Sequence, residues 1–172
     1  MDAVYDKYQP EKCGSCGQSA TYVLGIDRGT VDILKAVAVA IRKKGINAIH
    51  PRKEMEVSGR KPDYKEMVEN GFLTSNQVGN LTRARAHGLI ARIKGNPGNY
   101  CLTVKGAKFL RGERIAKYAI MSKTTKSQIG YWMPEAYNVS IGMFRPDQEY
   151  WEGMNYEIEE GKIVEIKQPK LL

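Results

Sequence analysis

Two cysteines near the start of the chain have the spacing of metal ligands. Cys13 and Cys16 are separated by two residues, and a thiolate pair at this spacing is typical of a zinc knuckle. A complete zinc site needs four ligands, and the remaining candidates, Cys101, His50 and His87, form no second pair. Three interpretations stay open: half of a zinc site, a pair of reduced thiols, and a redox pair, although the βαβ context expected for a redox pair is absent.

Side chains that could catalyse hydrolysis do not form a known motif. The sequence contains no Ser/His/Asp order, no H-E-x-x-H helix and no Walker loop. His87 stands before Gly88 at a predicted helix end, where a cationic or capping residue is favoured. Asp63, Glu66 and Glu69 would spread around a helix surface at their spacing. We therefore expect no enzyme activity and no catalytic residues.

Positive charge is concentrated in the middle of the chain. The 172 residues carry a formal net charge of +8. Residues 28–118 hold 19 Lys and Arg against 7 Asp and Glu, a balance of +12, whereas residues 1–27 and 119–172 each carry −2. Such a basic segment between mildly acidic flanks favours a polyanionic partner, and double-stranded DNA is the one we expect.

The composition predicts a globular protein inside the cell. Apolar residues make up 42% of the sequence, which is enough for a hydrophobic core. The longest apolar patch, Ala36 to Ile41, is far shorter than the roughly 20 residues of a membrane span. The first residues lack the basic flank and apolar run of a secretory signal. We expect a soluble, cytoplasmic protein without membrane contact, in which Cys13 and Cys16 are not joined by a disulfide.

The clearest helix is predicted over Thr30–Gly45. Thr30 is a suitable N-cap, Asp32 favours the positive helix end, and Gly45 ends the helix. Helical spacing places on one face the apolar residues Leu34, Val37, Ala38 and Ile41. The connector over residues 46–62 could begin with a short strand at Ile46–Ile49.

Two further helices and a hairpin are predicted to follow. Asp63–Gly71 forms a short helix, and a stronger one runs from Leu73 to Gly88, with Thr74 or Ser75 as its N-cap. Val78 and Leu81 face inward, together with either Ala84 or Arg85. The next elements are a hairpin over Leu89–Thr103, with its loop at residues 94–99, and a short helix over Val104–Leu110.

The order of these elements resembles that of the winged helix-turn-helix family of bacterial and phage regulators. The motif His-Gly-Leu-Ile-x-Arg at residues 87–92 is similar to the end of the family's recognition helix and its first wing strand. Leu-Thr-x-x-Gly at residues 102–106 is similar to the end of its wing. The resemblance covers about residues 28–112. It implies an α+β fold with a three-helix core and a β-wing, and it implies DNA binding.

Base edges in the major groove are bound by Arg, Asn, Gln and Ser side chains, and phosphates by basic and polar groups beside the groove. On this ground the predicted DNA-binding residues are Ser75, Asn76, Asn80, Arg83 and Arg85 on the recognition helix and Arg92, Lys94, Asn96 and Asn99 on the wing. Ser75, Asn76, Asn80 and Arg83 are expected to share an outward stripe. An equally open interpretation is that Asn96, Pro97 and Gly98 only form a tight turn.

The segment after the predicted wing has a different composition. We divide the chain into residues 1–27 with the CxxC pair, residues 28–117 with the winged helix, and residues 118–172 as a small β-rich module. Tyr156–Ile166 predicts a hairpin that turns at Glu160 and Gly161. The module's aromatic residues favour a small core over base stacking or a partner anchor; they are Tyr131, Trp132, Tyr137, Phe144, Tyr150, Trp151 and Tyr156.

These observations predict a winged-helix DNA-binding protein, namely a bacterial or phage transcriptional regulator. The C-terminal module would then serve homodimerisation or contact with a protein partner. The alternative is a phage-type interaction module or inhibitor that binds a component of a nucleic-acid machine through the same basic face. A symmetric dimer favours the regulator, and a monomer whose recognition helix is covered favours the interaction module.

Overall fold

The structure is a computed structural model that describes residues 21–44, 48–93, 95–125, 128–131, 138–144, 156–159 and 162–165. In this part of the chain helices and strands are mixed, as the sequence predicts for an α+β protein. No helix of the described segments is both long and apolar enough to span a bilayer.

The first helix, α1, spans Arg28–Lys44 and begins earlier than predicted. Asp27 rather than Thr30 occupies its start, because the Asp27 carboxylate accepts hydrogen bonds from the amide and the hydroxyl of Thr30, each at 2.7 Å. Thr30 therefore lies within the helix and is buried, and Asp32 falls beyond the first turn. The predicted end at Gly45 lies outside the described residues.

Helix α1 is buried on more than one face. The predicted apolar stripe is in the core, and residues outside the stripe are buried as well, among them Val31, Ile33, Ala36 and Ala40. Neighbouring elements contact α1 from several directions. More of its surface is therefore buried than the single apolar face that the sequence predicts. It is the central element of the hydrophobic core.

The predicted connector contains a short helix, α2, at Pro51–Glu54. His50 caps this helix, since its Nδ1 accepts from the Lys53 amide at 3.3 Å. Ile49, the last residue of the predicted short strand, forms an antiparallel bridge with Tyr100, and Ile46 and Asn47 lie outside the described residues. Helix α3 follows at Tyr64–Asn70 and lies between Asp63 as N-cap and Gly71 as C-cap, as predicted.

The predicted single helix from Leu73 to Gly88 is two helices. Helix α4 spans Ser75–Gly79 and helix α5 spans Leu81–Ala86. The interruption falls at Gly79 and Asn80, both poor helix formers, and the Asn80 amide is shared between the carbonyls of Asn76 and Gln77. The predicted inward side is confirmed, because Val78 and Leu81 are buried.

The predicted hairpin is present, with strands β2 at Ile90–Arg92 and β3 at Tyr100–Leu102. Helix α6 follows at Val104–Leu110, with the bounds that the sequence predicts. Gly106 in this helix lies directly against the backbone carbonyl of Leu89, where even a methyl group would overlap with the oxygen. The absence of a side chain at residue 106 therefore lets α6 pack against the hairpin.

A second sheet contains strand β1 at Thr21–Gly25, strand β4 at Tyr118–Ser122 and strand β5 at Gln128–Tyr131, in the order β1-β4-β5. Strand β1 pairs antiparallel with β4, from Thr21 opposite Ser122 to Gly25 opposite Tyr118. Strand β1 is not among the elements predicted from the sequence. A 3-10 helix occupies Ile141–Met143.

Strands β6 at Tyr156–Glu159 and β7 at Lys162–Glu165 pair antiparallel, which confirms the predicted C-terminal hairpin. Its predicted turn at Glu160 and Gly161 lies outside the described residues.

Candidate nucleic-acid interface

A strip of small polar residues is exposed along α4 and the start of α5. Since Val78 and Leu81 face the core, the opposite side of these turns faces solvent. We call this strip the polar ridge; its exposed members are Ser75, Asn76, Gly79, Asn80 and Thr82. Three of the predicted DNA-binding residues are thus brought together on one surface.

A capping box fixes the start of the polar ridge. The Thr74 hydroxyl accepts from the Gln77 amide at 3.1 Å, and the Gln77 side chain accepts from the Thr74 amide at 2.8 Å. These reciprocal bonds satisfy two amides at the helix start. Ser75 and Asn76 are therefore held in the first turn of a fixed helix.

Arg52 on α2 lies beside the polar ridge. Its Nη1 donates to the Ser75 hydroxyl at 3.1 Å and lies 3.4 Å from Glu56. The side chain remains about half exposed, at 52%. Arg52 is not among the predicted DNA-binding residues. Its only signal in the sequence is the mixed-charge run Arg52-Lys53-Glu54, which lies in a segment expected to be a connector.

Arg83 lies at the far end of the predicted outward stripe, but its side chain forms hydrogen bonds to other residues of the protein. Its Nη1 donates to the Gly25 carbonyl at 3.2 Å and to the Asp27 carboxylate at 3.3 Å. Partial burial of Asp27 acts to raise the pKa of its carboxyl, but the Thr30 hydrogen bonds and the Arg83 charge outweigh that effect and lower it. Arg83 thus joins α5 to the segment that precedes α1.

Arg85 is not part of the polar ridge, although it lines a cleft together with Thr82 at the edge of the ridge. Arg85 is half-buried, and this cleft, which Leu24 and Met121 also line, lies between α5 and the β1-β4-β5 sheet. The two arginines predicted for the recognition helix are therefore on different sides of α5 and do not form one basic patch with Asn76 and Asn80.

The hairpin presents part of the predicted wing surface. Arg92 and Asn96 are exposed, Asn99 is half-buried, and Lys94 lies outside the described residues. Arg92 Nε donates to the Tyr100 hydroxyl at 3.3 Å. Gly98 has a φ of +81° and packs against the His50 ring so closely that a side chain would overlap with it.

His87 joins the end of α5 to the second sheet and is fully buried. Its Nε2 lies 2.9 Å from the Leu24 carbonyl, and the Tyr131 hydroxyl donates to the His87 carbonyl at 3.0 Å. Lys105 donates to the Tyr131 hydroxyl and lies over its ring, 3.9 Å from the centroid. Burial lowers the pKa of His87 to about 4, so the ring is neutral at pH 7. Of the two roles expected at this helix end, His87 has the capping role, as the C-cap residue of α5, and not the cationic one.

The CxxC cysteines, Cys13 and Cys16, lie outside the described residues. Of the other candidate ligands, Cys101 is buried, with its Sγ 3.6 Å from the Ala91 carbonyl, and burial raises the pKa of its thiol to about 11. Within the described segments no three His, Cys, Asp or Glu residues are grouped as a metal site would require.

Two of the three acidic residues predicted to spread around the α3 surface, Asp63 and Glu66, have structural partners. Asp63 caps α3 by accepting from the Glu66 amide at 2.8 Å, and Glu66 forms an ion pair of 2.6 Å with Arg60.

Among the aromatic residues of the C-terminal segment, Tyr131 donates a hydrogen bond to the His87 carbonyl, and Phe144 packs against the core.

Comparisons with known proteins add no relative. No protein-family model matches the chain, and neither a curated protein nor a solved structure matches it.

Proposed function

We propose that residues 28–112 are a winged helix-turn-helix unit and that the protein binds duplex DNA as a transcriptional regulator. The order of α1, α3, the α4–α5 pair and the β2–β3 hairpin supports this assignment. The Ile49–Tyr100 bridge supports it further. Ile49 comes between α1 and α3 in the chain, and its bridge adds a third strand position to the hairpin. Such a role implies a protein that works inside the cell.

The polar ridge is the observation that carries the proposal. In a helix-turn-helix, residues near the N-terminus of the second helix contact base edges in the major groove. Here that position holds Ser75, Asn76 and Asn80, all exposed and all able to hydrogen-bond with bases. Asn is the side chain that pairs bidentately with adenine, so sequence preference would come from the two asparagines.

Basic residues beside the polar ridge would bind phosphates. Arg52 already contacts Ser75, and Arg92 is exposed on the hairpin that forms the proposed wing. Phosphate contacts fix the position of a protein on the duplex but carry no sequence information. The +12 balance of residues 28–118 would supply the non-specific part of the affinity.

The test is binding of fluorescent duplexes to the full chain, after selection of a preferred site from a random pool. Replacing Asn76 and Asn80 with Ala should weaken the preferred site about tenfold or more and leave random DNA nearly unchanged. Asn70→Ala is the matched control, because Asn70 is an exposed asparagine on α3, away from the polar ridge. The proposal would be contradicted if the Asn76 and Asn80 replacements and Asn70→Ala lost the same affinity for the preferred site. It would also be contradicted if the protein bound no duplex at about 50 mM salt.

A second candidate function is favoured by one observation. Strand β1 and Asp27 lie along α5 and bind Arg83 and His87 by hydrogen bonds. A DNA-binding helix would have this side exposed to the duplex. A covered helix of this kind suits an interaction module that binds a protein of a nucleic-acid machine. A strictly monomeric chain that fails to bind duplex DNA would support this candidate, whereas a two-fold dimer with α4–α5 pairs about 34 Å apart would support the regulator.

A further inference from the structure

A cleft of about 410 Å³ lies between α5 and the β1-β4-β5 sheet. Its volume is within the range of small-molecule pockets. The residues that line it are Tyr22, Leu24, Thr82, Arg85, Ala86, Met121 and Gln128. They come from α5 and from all three strands of the sheet, so the cleft depends on how the helix sits against the sheet.

Three of the lining side chains are apolar. Ala86 and Met121 are buried, and Leu24 is half-buried beside them. The Tyr22 ring packs against the same cluster. These groups form a surface that favours a hydrocarbon body over a fully hydrated ion.

One cation faces this apolar surface. Arg85 is half-buried, and no hydrogen bond or ion pair joins its guanidinium to another side chain among the described residues. None of the described lining residues is acidic, and Thr82 and Gln128 add a hydroxyl and an amide at the same wall. A planar guanidinium in such surroundings matches a carboxylate, to which it can donate two parallel hydrogen bonds.

We propose that this cleft binds a small organic carboxylate with an aromatic or short aliphatic body. The single guanidinium balances one negative charge, which favours a carboxylate over a doubly charged phosphate. The apolar wall holds the body, and Thr82 and Gln128 hydrogen-bond to its polar substituents. Thr82 belongs both to the cleft and to the polar ridge, but none of the exposed asparagines of the ridge lines the cleft, and carboxylate binding can be measured without DNA.

Benzoate is the probe, and calorimetry of the full chain measures its affinity. Benzamide has the same shape without the charge, and acetate has the charge without the apolar body. Benzoate should bind saturably, and both analogues should bind at least about tenfold more weakly, because each lacks one of the two interactions. Amide NMR shifts should concentrate at Thr82, Ala86 and Met121.

Arg85→Gln removes the charge and keeps a long polar side chain, so benzoate affinity should fall about tenfold or more. Arg42→Gln, at the exposed end of α1, is the matched control and should leave the affinity unchanged. Benzoate and benzamide binding equally, Arg85→Gln binding like the parent, or no saturation by about 20 mM would each overturn the proposal. A circular dichroism spectrum identical to that of the parent establishes that Arg85→Gln is folded.

Discussion

The Nε2 atom of His87 lies 2.9 Å from the backbone carbonyl oxygen of Leu24, which joins the end of α5 to strand β1. Because a carbonyl only accepts, Nε2 carries the proton and Nδ1 is the bare nitrogen. Nδ1 is buried and has no hydrogen-bond partner among the described residues. This arrangement accommodates a neutral ring and opposes a charged one.

Stability should therefore depend on pH through His87. Burial, followed by the charges of Lys105 and Arg83, lowers the pKa from 6.5 to about 4, against the opposing effects of the Leu24 hydrogen bond and Asp27. Between these values the unfolded chain binds the extra proton, so the free energy of unfolding should fall by up to about 3 kcal/mol as pH drops from 6.5 to 4. Urea unfolding at several pH values measures this fall.

His87→Gln is the comparison for that experiment, since Gln does not titrate. Its free energy of unfolding should be lower at pH 7 but nearly constant down to about pH 5, below which the Glu54 carboxyl, whose pKa is lowered by the hydrogen bond from the His50 amide, begins to lose its own contribution in both proteins. The Asp27 carboxyl should not interfere, because its lowered pKa places its own loss of stability below pH 3.8. The same decline in both proteins would show that other groups cause it.

Two glycines in helices should respond oppositely to alanine. At Gly106 a methyl group would overlap with the Leu89 carbonyl, so Gly106→Ala should lower the free energy of unfolding by about 2 kcal/mol or more. At Gly79 nothing lies near the added methyl, so Gly79→Ala should raise it by roughly 0.5–1 kcal/mol. Chemical denaturation measures both changes, and a neutral Gly106→Ala would contradict the packing of α6 on the hairpin.

The ion pair between Arg83 and Asp27 should modulate DNA affinity. If Arg83 turns toward the duplex on binding, Arg83→Ala should cost on the order of 1–3 kcal/mol at a preferred site. Asp27→Asn keeps a good helix cap but removes a negative charge near the polar ridge, so it should strengthen binding. Fluorescence anisotropy measures both. Weaker binding by Asp27→Asn would show that the pair only supports the fold.

Lys94, which lies between β2 and β3 in the sequence, is predicted to contact phosphate rather than bases. Lys94→Ala should weaken preferred and random duplexes alike and reduce the salt slope by about 1. Lys108→Ala removes an exposed lysine from α6 and is the charge-matched control. Binding isotherms at three salt concentrations give both slopes, and a loss confined to the preferred site would assign Lys94 to base contact.

Of the three interpretations that stay open for the CxxC pair, the zinc site makes a prediction that metal analysis can test. Metal analysis of the purified chain should find about one ion per chain or per dimer, and replacing Cys13 and Cys16 with Ser should remove it. Cys101→Ser is the control, because Cys101 is buried in strand β3 of the hairpin, and this variant should leave the metal in place. Metal-free protein of unchanged stability would end the zinc hypothesis, and alkylation of both thiols would exclude a disulfide between them.

Local signals in the sequence were sufficient for most helices and for both hairpins. Asp63 and Gly71 mark the ends of α3, and Thr74 begins α4, because capping involves residues three or four positions apart. The exposed positions of Asn76 and Asn80 follow from the helical spacing of Val78 and Leu81. The polar ridge was therefore predictable although the break at Asn80 was not.

Contacts between distant residues could not be predicted from one sequence. Asp27 and Arg83 are 56 positions apart, and neither has a neighbour that indicates the other. The pairing of β1 with β4 is of the same kind, as is the placement of Arg85 in a cleft against the sheet. Only the tertiary structure shows that the two arginines of α5 have separate surroundings.

Strand β1 also sets an order of events during synthesis. Thr21 pairs with Ser122, so the sheet closes a loop of about 100 residues at an entropic cost of about 4 kcal/mol. The helices and the hairpin of the intervening segment rest on shorter-range contacts, which form faster. On the ribosome, Leu24, Gly25 and Asp27 emerge before α5, but strand β1 can pair with β4 only after residues 118–122 have left the exit tunnel.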